Sequence, residues 1–414
     1  MKAKAPGSPS SLRVANRERV LSTLRLHGKL TQAEVARETG LSAATVSTLV
    51  RELTDEGRLV VLADGAGRRG RVLGLARENG LVVGVGIGHT HVRVAVADMT
   101  HRVLGERILD LDVDSSVDAV IVASLSLGDD LLAEHGAGHD GVLGVGVAVP
   151  GPIDDRTRSV GSPAILPGWV GIDVQSQFET AWGVPAMVEN DANLGALGET
   201  MWGAARGRRH AIYLKVASGV GAGLVLDGRL FRGAHGTAGE IGHVTMDESG
   251  SVCRCGNRGC LETIAGSGHL LRLLAPTQGD LDVDAMVSRA RAGDAGCMRV
   301  LGDAGHAIGL AVGQLCNVLN PEMVVVGGQL AEAGEILLGP VRKAVERMGT
   351  PSTVGQVEVV PSILGRRAEV LGAVALVLAS ALPSKVGSAH GSTSLISAGA
   401  SGALDEPVKE EAIL

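Results

Sequence analysis

Chemistry is concentrated between Gly236 and Glu262. There Gly239-Glu240-Ile241-Gly242-His243 precedes Cys253-Arg254-Cys255-Gly256-Asn257-Arg258-Gly259-Cys260-Leu261-Glu262, with three of the chain's five cysteines inside eight residues. Three thiols and the imidazole of His243 form a Cys3His donor set of the kind that closes around zinc. Gly256 and Gly259 permit the tight turns that converging thiolates require. Because His243, Cys253, Cys255 and Cys260 fill all four positions, a zinc ion here is structural, with no position open to a substrate. The competing reading is a turn carrying free thiols. Glu240 and Glu262 border the cluster, so a small polar ligand would meet two carboxylates fixed beside the metal. Cys297 and Cys316 fall in expected helices and read as core residues.

Such a site needs a body to hold it. At 414 residues the chain is too long for one ordinary domain and suggests about three units, each with its own core. Hydrophobic residues make up 45%, yet there are only 2 Phe, 1 Tyr and 3 Trp, so the cores are built from Val, Leu, Ile and Ala. That argues against an aromatic platform for single-stranded nucleic acid. No apolar run approaches a membrane span, and the start (Met1-Lys2-Ala3-Lys4-Ala5-Pro6) lacks a signal-peptide apolar region. These features place the protein in the cytoplasm with no membrane partner, where reduced thiols fit metal ligation better than disulfides. Charge is uneven: residues 1–77 carry 14 Lys plus Arg against 7 Asp plus Glu, in a chain of formal net charge −7. The first segment is therefore the one suited to a polyanion.

After a polar tail over residues 1–12, Val20, Leu21, Leu24 and Leu26 give a helical pattern ending at His27-Gly28. Thr31-Gln32-Ala33-Glu34 is a capping-box sequence opening a second helix, and Gly40 stops it. Ser42 caps a third, which buries Val46, Leu49, Val50 and Leu53 and exposes Ala43, Ala44, Thr45, Ser47, Thr48 and Arg51. Two helices joined by a short Gly-containing turn make a helix-turn-helix, whose second helix reads bases in the major groove. Two strands, Leu59–Leu62 and Val72–Leu75, then flank a Gly-rich loop containing Arg68, Arg69 and Arg71, a wing suited to DNA phosphates. Residues 13–78 thus read as a winged helix-turn-helix that binds a double-stranded operator through Ser42 and these exposed side chains. The alternative is a small helical protein-interaction module with a solvated basic loop.

From Leu81 the chain alternates Val-rich and Gly-rich strands with helices, an α/β body of two lobes. Val82–Ile87, Val92–Ala97, Val142–Val149, Ile212–Ala217, Gly223–Leu226 and Met323–Val326 read as buried strands. Gly84-Val85-Gly86-Ile87-Gly88-His89 lacks the spacing of the dinucleotide fingerprint, and a Gly-Lys-Ser/Thr phosphate loop is absent. Several motifs follow in order: Val-Ala-Val-Pro-Gly-Pro (147–152), Leu-Pro-Gly-Trp (166–169), Glu-Asn-Asp-Ala-Asn (189–193), Ser-Gly-Val-Gly-Ala-Gly (218–223), the His243 and cysteine motifs, and Asn-Pro-x-x-Val-Val-Val-Gly-Gly (320–328). Together, from about Leu81 to Leu382, they resemble the ROK family of repressors, open reading frames and sugar kinases. The preceding winged helix resembles that family's transcriptional regulators, of the xylose-repressor and N-acetylglucosamine-repressor kind.

The resemblance implies an actin-like, ribonuclease-H-like pair of lobes on the ROK sugar-kinase plan. Residues 79–190 would form the first lobe, completed by a returning helix over 368–382. Residues 191–367 would form the second lobe with the zinc site, and residues 383–414 a disordered tail. It further implies a sugar site lined by Asn190, Asp191, Glu240, His243 and Glu262, with Asp191 at the position of the family's catalytic base. Taken without context, Glu189-Asn190-Asp191 is a helix cap at a strand end.

Two features depart from the family pattern. Ile165 stands where an Asn commonly precedes Leu-Pro-Gly-Trp. In the first phosphate motif, Asp-x-Gly-x-Thr-Lys in active relatives, Gly86 and His91 replace the acid and the lysine. Phosphoryl transfer depends on positioning and electrostatics around metal and phosphate, so loss of that carboxylate points away from kinase activity. His89 and His91 read as surface residues of a hairpin, and Arg206, Arg208 and Arg209 as a solvated basic turn. The combined reading is a homodimeric or homotetrameric regulator whose effector is a sugar or sugar phosphate. Its rivals are a bifunctional sugar kinase and a regulator with a dead cleft controlled by a protein partner.

Overall fold

The computed structural model describes residues 9–27, 29–64, 71–75, 80–114, 116–153, 159–160 and 165–380. Arg68, Arg69, most of the expected tail before Leu12, the end of the returning helix at 381–382 and the expected tail over 383–414 lie outside them. Helix α1 spans Pro9–His27, so helix replaces the polar tail expected as far as Leu12. Proline with its fixed φ suits a first helical position, which is how the helix starts this early.

Strand β1 (Leu30–Thr31), α2 (Gln32–Thr39), α3 (Ala43–Asp55), β2 (Leu59–Asp64) and β3 (Arg71–Leu75) complete the first unit. The Thr31 capping box forms with both of its bonds, and the Ser42 side chain accepts from the Thr45 amide. β3 pairs antiparallel with both β1 and β2. Arg71 belongs to β3 rather than to the loop before it. Val20, Leu21, Leu24, Val35, Val46, Leu49, Val50 and Leu53 are buried together, the core expected of a helix-turn-helix.

The body contains two sheets of identical plan. In the first lobe β4 (Leu81–Ile87), β5 (His91–Asp98), β6 (Val103–Asp110), β7 (Val142–Val149) and β8 (Ala186–Asn190) lie in the order β6-β5-β4-β7-β8. Helices α4 (Val117–Glu134) and α5 (Val174–Trp182) cover it. Helix α6 (Asp191–Met201) starts where β8 ends. In the second lobe β9 (Ala211–Val216), β10 (Val220–Leu226), β11 (Arg229–Phe231), β12 and β13 lie in the order β11-β10-β9-β12-β13, with β12 at Met323–Gly327 and β13 at Glu358–Pro361. Each sheet joins three antiparallel strands to two parallel ones, and this repeat is the actin-like, two-lobed architecture. Helices α7 (Glu262–Ala265), α8 (Ser267–Gln278), α9 (Val283–Arg291), α10 (Ala295–Leu319), α11 (Glu335–Met348) and α12 (Pro351–Val354) belong to the second lobe. Cys297 and Cys316 are buried in α10, as expected.

β10 begins at Val220, not at Gly223, because Val220 pairs with Val216. Only Ser218 and Gly219 of the glycine run therefore form the tight end of the hairpin, where the Ala217 amide donates to the Gly219 carbonyl at 2.9 Å, and residues 220–223 pair with β9.

Helix α13 (Ala368–Ser380) returns from the second lobe and packs on α6, β4 and β7. It also contacts α1, and Val370, Leu371, Val374, Val377 and Leu378 join the buried cluster of the helix-turn-helix. Glu199 of α6 is wholly buried. Its Oε2 accepts from the Ala204 amide at 2.7 Å, and its Oε1 accepts from the Leu364 amide at 3.3 Å and from the Ser362 hydroxyl. Glu199→Ala leaves these donors without an acceptor and should cost roughly 2–4 kcal/mol, read as a lower denaturant midpoint. Glu199→Gln, which keeps an acceptor, should cost less.

Candidate functional site

The cysteine-rich segment folds on itself through short backbone bonds. The Cys253 amide donates to the Asn257 carbonyl at 2.7 Å, and the Gly259 amide to the Ser251 carbonyl at 2.8 Å. Gly259 has φ +64°, and a β-carbon there would overlap the Asp247 carbonyl, so this turn needs glycine. The result brings His243, Cys253, Cys255 and Cys260 together, one donor atom from each lying within 4.8 Å of the others. Cys253 Sγ is 3.6 Å from His243 Nδ1, and Cys255 Sγ is 3.7 Å from Cys260 Sγ. Tetrahedral zinc with its usual bond lengths separates S–N and S–S ligand atoms by about 3.6–3.8 Å. The cluster is thus shaped to hold a metal ion, and its donor chemistry suits zinc. His243 Nε2 faces Glu240 Oε2 at 3.8 Å, the carboxylate–histidine relation that orients metal-binding imidazoles.

Glu262, two residues after Cys260, opens α7. Arg254, between two cysteines of the cluster, clamps it: Nε lies 2.7 Å from Oε1 and Nη2 lies 2.8 Å from Oε2. The hairpin end at Gly219 reaches the same pair, since a β-carbon there would sit 2.6 Å from Glu262 Oε2 and 2.8 Å from Arg254 Nη2. Burial raises the Glu240 carboxyl above its ordinary range. The charges of Asp191 and Glu262 add to this rise, and Arg254 opposes it. Three of the expected sugar-lining acids therefore feel one another across the cleft.

Asn190 caps α6: its Oδ1 accepts from the Asn193 amide at 3.1 Å, while its Nδ2 donates to the Gly151 carbonyl at 3.0 Å. The cap is thus realised in the structure, leaving one N–H and one lone pair of the amide for a ligand. Asp191 Oδ1 accepts from the Ala192 amide at 2.7 Å, and Oδ2 lies 2.7 Å from Lys215 Nζ. Glu189 pairs with Arg232 at 2.5 Å and accepts from Asn193 Nδ2 at 3.0 Å.

Lys215, Arg254, Arg232 and Glu369 were not singled out from sequence. Lys215 has a visible signal, a lone charge inside the apolar strand Ile212-Tyr213-Leu214-Lys215-Val216. The other three take their meaning only from packing.

A β-carbon at Gly86, where the family resemblance expects a carboxylate, would make a tight contact of 3.1 Å with Val370 Cβ of α13. His91 is not a free hairpin residue. Its ring lies over Gly88, and burial, with Lys215 and Arg93 nearby, lowers its pKa. His89 Nδ1 pairs with Asp114 at 2.8 Å. In the basic turn, Arg208 pairs with Glu358 and Arg209 with Asp227, each at 2.9 Å. Ile165 is buried against Gly151. A surface hollow of about 440 Å³ beside His306, Pro340 and Lys343 shares no residue with the acid cluster.

In the first unit, the exposed positions of α3 are Ala43, Ala44, Ser47, Thr48, Arg51 and, in its last turn, Asp55, with Thr45 half-buried behind the exposed Ser42 cap. Arg71 is exposed at the start of β3. The first three turns of α3 carry small and hydroxylic side chains with one arginine, a set that can lie in a major groove without a steric block, and the acid Asp55 stands at its far end.

Comparison with known proteins adds three relatives. Residues 82–380 match the model of the ROK family, and residues 13–69 match a domain of unknown function (DUF7343). The xylose repressor of Caldicellulosiruptor bescii is 28% identical over 395 residues, covering 91% of this chain and 98% of that one. A crystal structure of a ROK family transcriptional regulator, a homologue of the E. coli MLC protein, superposes with a TM-score of 0.71 at 24% identity. It covers 89% of this chain and 96% of that one, and it establishes likeness of fold. The glucokinase of Streptomyces griseus, crystallised with glucose and AMPPNP, gives a TM-score of 0.63 at 28% identity, covering 72% of this chain and 99% of that one.

Proposed function

The chain belongs to the ROK family, and from that premise we propose that it is a sugar-responsive transcriptional repressor of carbohydrate genes rather than a kinase. The observation that carries this reading is the exposed face of α3, capped by Ser42, in a winged helix built onto the sugar-kinase-like lobes. The likeness to a xylose repressor extends over 91% of the chain, whereas that to a glucokinase covers 72%.

In this reading Ser42, Ala43, Ala44, Thr45, Ser47, Thr48 and Arg51 meet base edges and nearby phosphates, and Arg68, Arg69 and Arg71 meet the backbone beside the groove. Asn190, Asp191, Glu240, His243 and Glu262 bind the sugar through paired hydrogen bonds to neighbouring hydroxyls, as a polar site that rejects analogues lacking them. His243, Cys253, Cys255 and Cys260 hold a structural zinc ion, which supplies cross-linking. The protein's own contribution is to set the Glu240 and Glu262 carboxylates beside it. The protein works as a homodimer or homotetramer in the cytoplasm. No helix among the described residues is long and apolar enough to cross a membrane. Closing the lobes on a sugar would change the spacing of paired DNA readers against their half-sites.

Fluorescence anisotropy with DNA from the protein's own promoter region tests this. Binding should weaken steeply with salt and change on addition of D-xylose or D-glucose. Arg51→Ala should weaken specific binding by about 1–3 kcal/mol and leave non-specific binding less affected. Absence of promoter binding, or binding indifferent to a panel of sugars, defeats the reading. Sugar-dependent ADP release from ATP would instead favour the kinase.

A further inference from the structure

Lys215 occupies an unusual place for a lysine. Strand β9 carries it into the space between the lobes, where its side chain is only 21% exposed. Its Nζ is 2.7 Å from Asp191 Oδ2 and 3.5 Å from Glu369 Oε1 of α13. Tyr213, two residues earlier on the same face of β9, adds a phenol whose oxygen lies 3.4 Å from Glu369 Oε1. The ammonium thus joins the first residue of α6 to the first turn of α13, and Asp191 has both carboxylate oxygens engaged.

We propose that Lys215 is a positioning residue for the effector site, holding Asp191 ionised and aimed so that the cleft presents a sugar hydroxyl with a fixed acceptor instead of a proton-accepting base. This rests on the sugar-sensor reading above and assigns a division of labour within it. A general base must take a proton, and an adjacent ammonium opposes that by stabilising the anion. A recognition site has the opposite need, an acceptor that keeps its charge and direction whether or not ligand is present. Burial works against the Lys215 charge, but Asp191 and Glu369 outweigh it and raise its pKa above the ordinary lysine value. The cation therefore persists through the physiological range. The groups facing this pair are Glu369 from α13, Tyr213 from β9, His91 from the start of β5 and Glu240 from the loop after β11. Burial, together with the charges of Lys215 and Arg93, lowers the His91 pKa and favours its uncharged form.

The test is calorimetric titration of the full-length protein with D-xylose and D-glucose between pH 5.5 and 8.5. Lys215→Gln keeps a donor toward Asp191 while removing the charge, and Lys215→Met removes both. A carboxylate left beside two other acids without its cation protonates more readily. The ratio of variant to wild-type Kd should therefore be about 3–10 at pH 8 and should rise several-fold further toward pH 5.5. Lys215→Arg should stay near wild type with a parallel pH profile. A purely structural lysine would lower the melting temperature and leave the ratio flat with pH, and that outcome overturns the proposal while sparing the sugar-sensor reading. Failure of the wild-type protein to bind either sugar, or any in a wider panel, removes the reading itself and the role of Lys215 with it. Should Lys215→Met not fold, Lys215→Gln and Lys215→Arg still decide between these outcomes.

Discussion

Cys260→Ser is expected to reduce bound zinc from one equivalent per chain to a trace and to weaken sugar binding by more than about a hundredfold, while promoter binding persists. Structural zinc contributes apparent binding energies of about 10–16 kcal/mol in small zinc-dependent folds. Few backbone bonds other than those of tight turns hold the segment between Ser251 and Cys260. Cys260 is wholly buried, and its Sγ lies 3.7 Å from Cys255 Sγ. Loss of this ligand would release the loop that carries Arg254, and Arg254 is the partner that holds both oxygens of Glu262. Glu240 would lose its oriented neighbour His243 at the same time. The buried cluster behind α3, although shared with α13, includes no residue of the cysteine segment, so DNA affinity should survive. Metal analysis, calorimetry with sugar and anisotropy with DNA read the three consequences separately. Retained sugar affinity in a zinc-free protein would show that the metal does not support the acid wall.

Gly372→Val should be strongly destabilising, by about 3 kcal/mol or more. A β-carbon at this position of α13 would overlap the Leu194 carbonyl of α6, and one at Gly198 would overlap the Ala368 carbonyl in return. Small residues on both helices thus let the backbones touch. Overpacking in a core commonly costs about 1–3 kcal/mol when side chains can yield. Here the obstacle is backbone, so relief requires the helices to separate. Separation would move Asp191 at one end of α6 and Glu369 in α13 away from Lys215. A chemical denaturation midpoint checks the stability, and sugar titration of the surviving folded fraction checks the site. Gly372→Ala should show the same direction with a smaller effect. A neutral Gly372→Val would mean that the two helices are not in this contact in solution.

What sequence disclosed was governed by distance along the chain. The Thr31 capping box, the Ser42 cap and the Cys3His cluster each have partners within a few residues or one short loop, and local spacing revealed them. The motif order from Val147 to Gly328 identified the lobes because several of the motifs mark strand ends, at β7, β8, β10 and β12. Asn190 was read both as a sugar ligand and as a cap, and the cap is visible because it needs only Asn193. The ion pair of Lys215 with Asp191 spans 24 residues, and its second acid arrives on the last described helix. No periodicity encodes such a meeting. His91 differs for another reason: a hairpin read from sequence exposes it, whereas its ring folds over Gly88 and is half-buried.

The docking of α13 against α1 has a consequence for inheritance. A reader domain with a private core can be exchanged between genes as a cassette, joined by any linker. Here the last described helix supplies Val370, Val374 and Leu378 to the same apolar cluster as Val20 and Leu24 of the first. Helices α1 and α13 are therefore obliged to change together. A recombination event that imports a foreign winged helix must also bring a matching carboxy-terminal helix, or leave apolar surface facing water. Diversification of this chain toward new operators is expected to proceed by point changes on the exposed side of α3, which packs against nothing and can vary without consulting the far end of the gene.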